Sequence, residues 1–417
     1  MIAGLLDIPS VNVYMDVQDR MDGEYIAFCG DINRSLRGGN YFVTETTAQT
    51  TGWDSTGQFP PYDGQLRLAA FADVLSGADL VAYWHWHSLH YGQETYWKGV
   101  LAHDLEPGRV YGEVTRIASD FRRLGPELVH LKKKNRVAIL FSLDSLHGLA
   151  AMPFDRTVDY MAILTQMYRS LYRLNVETDF VFPERGNFAD YDLILVPPLY
   201  IADAGLLWRL SDYVKNGGHV LAAFKSGFAD ENATVRWTTA PGPLRAAAGF
   251  YYREFTSLRA PLKLRGDPFK AGEGNSVSTW AEYLVPETAE PLAFYDHPVF
   301  GKYPAVTRNR FGRGTLTYEG TVFSDRLQEA VVRGALESAG VPLDDAGLPA
   351  PVKAKHAMLA GGERVHAFFN FSDKPQTFAY RFPSGIDLLS GRTMNRTAAV
   401  TLPAWDMVIV KERGRGD

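Results

Sequence analysis

One carboxylate stands out by its setting. Glu45 closes the apolar, β-branched run YFVTET (Tyr41 to Thr46), and TTAQTTGW follows it. An ionised carboxylate is costly to bury without partners, so a Glu in that position marks either a solvated strand end or a reacting group. In parallel α/β barrels catalytic side chains gather at the carboxyl ends of strands. The same rule selects Asp16, within VNVYMDV, and the cluster Trp84-His85-Trp86-His87. Aromatic density narrows the chemistry. Tyr83, Trp84, Trp86, Tyr91, Tyr96 and Trp97 fall within fifteen residues, and Trp53 lies in the loop before them. Aromatic faces beside carboxylates suit the CH-rich faces and hydroxyls of a sugar ring, while core packing accounts for those rings that must point inward. His85-x-His87-x-x-His90 also has metal-ligand character, since alternate residues of a strand share a face and zinc accepts imidazoles. No acidic ligand stands at a motif spacing and HExxH is absent. The expectation is therefore satisfied or substrate-contacting histidines, no metal and no cofactor. His103-Asp104 is a further oriented pair, read as a loop hydrogen bond.

These residues need elements to hold them. In the first 130 residues, strand patterns at Val11 to Val17, Tyr41 to Thr46 and Leu80 to Trp86 alternate with helical patterns. The helices run from Glu24 to Leu36, through GQLRLAAFADVLSGA to a stop at Gly77, and from Val110 to Leu124. Strands separated by single helices imply three parallel βαβ-type units. After Lys132-Lys133-Lys134 a second α/β region begins, with strands RVAILF (Arg136 to Phe141), TDFVF (Thr178 to Phe182), LILVP (Leu193 to Pro197) and HVLAAF (His219 to Phe224). Helices near Val158 to Leu174, Ala204 to Val214 and Asp325 to Ala339 give it the pattern of a doubly wound sheet. GxGxxG, GxxxxGK[ST] and GxSxG are all missing from it, and the single cysteine, Cys29, lies in the first region. That region is expected to be structural or oligomeric, not catalytic. Beyond the Pro- and Gly-rich stretch Val341 to Pro351, the segments RVHAFFNF, QTFAYRF, IDLLSG and MVIVKE predict a small antiparallel β domain.

Composition removes several alternatives. Lys+Arg 43 against Asp+Glu 48 gives a net charge of -5, so no bulk electrostatic footprint for nucleic acid exists. One cysteine excludes a disulfide framework. No apolar run approaches the roughly 18 residues of a membrane span, and MIAGLLDIPS lacks the pattern of a signal peptide. A cytoplasmic protein is expected, without nucleic-acid or membrane partners.

The runs YFVTETTAQTTGW and GQLRLAAFADVLSGADLVAYWHWHSLHYGQETYWKGVLAHDLEPGRVY resemble glycoside hydrolase family 42 β-galactosidases. YDLILVPPLYIAD, NGGHVLAAFKSGFADEN and PGPLRAAAGF are similar to that family's trimerisation domain, and the C-terminal β segment also matches. The resemblance implies a partial (β/α)8 TIM barrel (its last three βα units) at 1–133, a doubly wound, amidotransferase-like, non-catalytic trimerisation domain at 134–345, and a small antiparallel β domain at 346–417. It makes Glu45 the nucleophile at the end of the seventh barrel strand, and Trp53 the tryptophan lining the galactose subsite. It makes Glu94 a carboxylate holding galactose hydroxyls, beside Trp97, which stands where some members have a histidine; Trp84 joins this substrate-binding set. A whole barrel takes about 250 residues, and the family's acid/base glutamate, on an Asn-Glu pair of the fourth strand, has no counterpart here. The chain is thus expected to correspond to the C-terminal part of such an enzyme. Its β-galactoside substrate would meet a homotrimer, with a second chain as one source of the other barrel strands. The alternative is a non-catalytic, trimerising or sugar-binding remnant of the family.

Overall fold

Short β-branched runs and the glycine-closed helices between them produce the first layer. Strands β1 (Ser10–Val13), β2 (Tyr41–Thr47) and β3 (Ala78–Trp84) form a parallel sheet in that order. Helices α1 (Glu24–Arg37) and α2 (Gln65–Ser76) connect them, and α3 (Arg109–Leu128) follows β3. The structure, a computed structural model, describes residues 2–413. It divides into two units: the chain up to Lys134 together with Gly347 onward, and Asn135–Ala346.

In the first unit β1 ends at Val13, not at Val17, because its pairing with β2 stops at Val13↔Thr46 and Tyr14 turns its hydroxyl toward Glu45. Helix α3 runs past Leu124, its expected end, and through Gly125-Pro126. Continuing one more turn buries Leu128 beside Leu124, an i,i+4 pair on the apolar face. All twelve residues of α2 are buried. The C-terminal strands Val352–Met358, Arg364–Asn370 and Met407–Glu412 explain this, because Phe369 and Ile409 share one core with Leu68, Phe71 and Leu75 of the helix. Gly64 opens α2 at φ +91°, and a Cβ there would lie 2.7 Å from the Trp405 carbonyl oxygen. Arg67 completes the junction, its Nε 2.8 Å from Asp120 of α3 and its guanidinium 3.4 Å from Asp406.

The second unit is built on β4 (Val137–Leu140), β5 (Thr178–Val181), β6 (Leu193–Val196) and β7 (His219–Ala223), with α4 (Leu143–Ala151), α5 (Tyr160–Arg173) and α6 (Ala204–Lys215) between them. The sheet has seven strands; β5-β4-β6-β7 and Gly314–Glu319 are parallel, while Pro304–Phe311 and Glu290–Phe294 extend that edge antiparallel. Runs such as VAIL and LILV are buried at every position, as parallel strands covered on both faces require. Ser142, Asp159 and Asp203 start α4, α5 and α6 by accepting the N–H of the residue three further on.

Candidate functional site

The carboxyl ends of β1 and β2 bring three polar side chains together. A bulge in the β1–β2 pairing sets Asn12 opposite Glu45. Asn12 Nδ2 donates to Glu45 Oε2 at 2.9 Å, and the Tyr14 hydroxyl donates to the same oxygen at 2.7 Å. Thr44 donates to Asn12 Oδ1 at 3.0 Å, which fixes the amide with its N–H groups toward the carboxylate. Among the described residues no donor addresses Glu45 Oε1. The carboxylate is half-buried and held from one side only. Burial, and then the hydrogen bond to Glu45, push the Tyr14 phenol well above its ordinary range, with the charges of Glu45 and Glu94 adding to the effect. Tyr14 is therefore a permanent donor to Glu45.

Around this carboxylate stands an aromatic corner. The Tyr14 ring meets Trp97 edge-on at 5.6 Å and Trp53 at 6.3 Å, and the two indoles meet at 5.1 Å. Trp97 is 3% exposed and donates its indole N–H to the Trp84 carbonyl, whereas Trp53 is 65% exposed. Trp97 is thus the buried post and Trp53 the open plate. The loops after β2 and β3 hold them in place by pairing with each other: Lys98 N–H donates to the Thr50 carbonyl, and Gln49 donates to the Gly99 carbonyl at 2.6 Å. Gly52 allows the approach, since a Cβ there would lie 2.0 Å from the Trp97 nitrogen.

Glu94 lies close enough for its charge to act on both Tyr14 and His85. His85 carries a buried Nε2 without a hydrogen-bond partner; desolvation, and then the neighbouring His87, lower its pKa. Trp84 is 40% exposed at the end of β3. Asp16 is exposed and makes no bond to Glu45. His87 and His90 continue a file of edge-to-face rings from His85, and His103 bonds the Leu89 and Thr95 carbonyls, not Asp104. Among the described residues no group of three His, Cys, Asp or Glu side chains is arranged to hold a metal ion. Asn12 and Tyr14 were not singled out from sequence. The available signal was their place in the same strand run as Asp16, four and two positions closer to its start.

The crevice at the carboxyl ends of β4 and β6, where a doubly wound sheet ordinarily takes a ligand, is closed. Ser145 Oγ donates to the Ile201 carbonyl and accepts its N–H, both at 3.1 Å, and Ser142 N–H donates to the Tyr160 hydroxyl at 3.0 Å.

A family model described as β-galactosidase matches residues 1–124, and one described as β-galactosidase trimerisation domain matches residues 135–342. The β-galactosidase BgaB of Geobacillus sp. Y412MC61 is 31% identical over 322 residues, covering 76% of this chain and 47% of that protein. The β-galactosidase Bga of Halorubrum lacusprofundi is 32% identical over 354 residues, covering 78% and 49%. The chain spans about half the length of these curated relatives. Among solved structures, a β-galactosidase from Bacillus circulans sp. alkalophilus superposes with a TM-score of 0.90 at 23% identity, over 99% of this chain and 61% of that one. A polyextremophilic β-galactosidase from Halorubrum lacusprofundi gives 0.80 at 28% identity, over 94% and 56%.

Proposed function

The two family matches make this chain a member of the glycoside hydrolase family 42 β-galactosidases, and from that premise we propose that it is a retaining hydrolase of terminal β-D-galactosides with Glu45 as its nucleophile. The observation that carries the reading is the one-sided bonding of Glu45. Asn12 and Tyr14 occupy Oε2 and leave Oε1 to attack the anomeric carbon. In such an attack the Oε1–C1 bond forms as the bond to the leaving oxygen breaks, and water later hydrolyses the glycosyl ester. Two donors on the spectator oxygen orient the carboxylate without blocking the attacking one. Trp53 offers a face to the apolar side of the sugar, and Trp97 and Trp84 back it. Glu94 accepts sugar hydroxyls.

Residues 1–133 are proposed as the last three units of an eight-stranded barrel. β1 and β3 are both outer strands of their sheet among the described residues, and Leu80 on β3 is 38% exposed. Such edges call for pairing. A second chain, or another segment, would supply the remaining strands and the carboxylic acid that protonates the leaving group. Residues 134–345 are proposed as a trimerising scaffold without chemistry of its own, a reading that the closed crevice at Ser145 and Ile201 supports. One fact favours the non-catalytic alternative: of the carboxylates among the described residues whose charge reaches Tyr14, only Glu94 accompanies Glu45.

The deciding experiment is turnover of a nitrophenyl β-D-galactoside, with trapping by a 2-fluoro-galactoside, by the chain and its Glu45→Gln variant. An activated phenol leaves with little acid assistance, so the nucleophile is tested apart from the acid. Release and trapping by the chain, both lost in Glu45→Gln, are expected. Equal trapping in the variant would remove Glu45 from the role, and silence in both would leave a binding remnant.

A further inference from the structure

Asn135–Ala346 contain a cavity of about 520 Å³ at the amino ends of β6 and β7, the opposite end of that sheet from the closed crevice. Its volume lies within the usual range for small-ligand sites, and its walls are fixed in advance. The Tyr213 ring rests on the Gly218 backbone, where an added Cβ would come within 2.2 Å of it. Its hydroxyl donates to the Tyr191 carbonyl at 3.0 Å. Phe188 meets Tyr213 edge-on at 6.1 Å, and the Arg209 guanidinium lies 5.2 Å over the Phe188 ring while donating to the Pro183 carbonyl. Over this aromatic and cationic floor the rim carries the exposed Asp212 carboxylate and the Asn187 and Asn216 carboxamides.

The lining selects a ligand class. The cavity also holds Asp192, whose charge Arg136 already neutralises, which leaves the Asp212 carboxylate against the Arg209 guanidinium and a lining close to neutral. A lining without net charge gives a phosphate or carboxylate no net Coulombic attraction to offset the cost of its desolvation. The polar rim offers no continuous apolar wall for an acyl chain. What fits is a neutral ligand rich in hydroxyls: the Asp212 carboxylate and the Asn216 carboxamide to bond vicinal hydroxyls, guanidinium N–H groups to donate to ring oxygens, and aromatic edges beneath, while the Asn187 amide is held by Asp190 and the Ala189 N–H.

We propose that this cavity is a second saccharide site, taking a short neutral oligosaccharide without turning it over. It stands apart from the reading of Glu45 and is tested apart from it. β-1,4-Galactobiose is titrated into the Glu45→Gln chain, which prevents turnover, and amide hydrogen exchange is followed segment by segment. Protection at 186–192 and 209–218 is expected, with affinity there about tenfold weaker in Asp212→Ala or Asn216→Ala, as for the loss of one hydrogen bond to the sugar. Unchanged exchange in those segments at saturating disaccharide overturns the site, as does unaltered affinity in both variants. Protection confined to 48–58 and 84–98 keeps the galactoside site and rejects the second one. Protection confined to 186–192 and 209–218 does the reverse.

Discussion

Glu45 could be picked out because a carboxylate at the end of an apolar strand is conspicuous. Its two donors could not. Asn12 and Tyr14 are ordinary residues until a bulge at Val11/Asn12 shifts the register by one and sets Asn12 opposite Glu45. Sequence pattern carries the strand but not the bulge, and a shift of one residue exchanges the faces. The consequence for Tyr14 is testable. Its hydroxyl is a 2.7 Å bond to a charged acceptor, the class of bond worth about 1.5–3 kcal/mol. Tyr14→Phe should therefore slow trapping by 2-fluoro-galactoside about 10- to 100-fold while leaving the melting temperature within a few degrees. An unchanged rate would show that Asn12 alone orients the carboxylate. Tyr14 is also held protonated well above the ordinary phenol value of 10.0, so no loss of trapping between pH 9 and about pH 10 should trace to this residue. A wild-type profile that falls there, and a Tyr14→Phe profile that does not, would contradict that assignment.

At the scale of elements, what was legible followed local periodicity. β2, β3 and the helices around them lie close to where β-branched runs and glycine stops put them. The nine-residue α4 was overlooked because a short, mostly apolar stretch containing Gly148 has no readable 3.6-residue period. LTYEGT, ahead of the last helix, is legible and falls on Gly314–Glu319, but its antiparallel partner Pro304–Phe311 was hidden in a stretch interrupted by Gly and Pro. Most consequential is α2. Its pattern, LRLAAFADVLS, is apolar nearly all round, which signals a helix buried on every side, but nothing local names the C-terminal strands as its second cover. The same enclosure buries Asp73, whose Oδ1 has no partner; desolvation pushes its carboxyl up to about 8, against an opposing pull from Lys355. Unfolded, the group ionises near 3.8. Its folded value is raised, so the stability it contributes is complete below about pH 4 and is lost as pH rises through about 8. Asp73→Asn should remove this loss. Melting temperatures of chain and variant should be closest near pH 4 and diverge toward pH 8 in favour of the variant. Glu282 and Glu319, pushed up to about 7 and about 8 in the other unit, act in the same direction, so the difference between the two proteins is the quantity to follow. A difference constant across that window would mean that Asp73 stays ionised in the fold.

For the whole molecule the question, under the proposal that the acid comes from elsewhere, is what these residues do alone. Residues 134–345, proposed as the trimerising part, should bring three copies together, and a monomer by light scattering at micromolar concentration would reject that. Under the proposal, such assembly of identical copies would not by itself supply the acid. Retaining hydrolysis requires a second carboxyl group about 5–5.5 Å from the nucleophile to protonate the leaving oxygen, and general acid catalysis of that kind is worth about 10²–10⁴ in rate. Under the proposal this chain supplies Glu45 and the aromatic corner, and the acid comes from elsewhere. The leaving group then decides the rate. A nitrophenolate departs unaided, whereas the sugar alkoxide of lactose does not. The chain alone should therefore show a steep fall in kcat/KM as the leaving group becomes more basic across a series of aryl β-D-galactosides. Lactose should be hydrolysed about 10²–10⁴-fold more slowly than the same site achieves with its acid present. A flat dependence, with lactose turned over readily, would place a general acid within these residues. Glu94, whose charge already reaches Tyr14, would be the first to replace by glutamine. If that replacement restored the steep dependence, a carboxylate outside the family's arrangement would have taken over proton delivery, and no second source of barrel strands would be needed to explain catalysis.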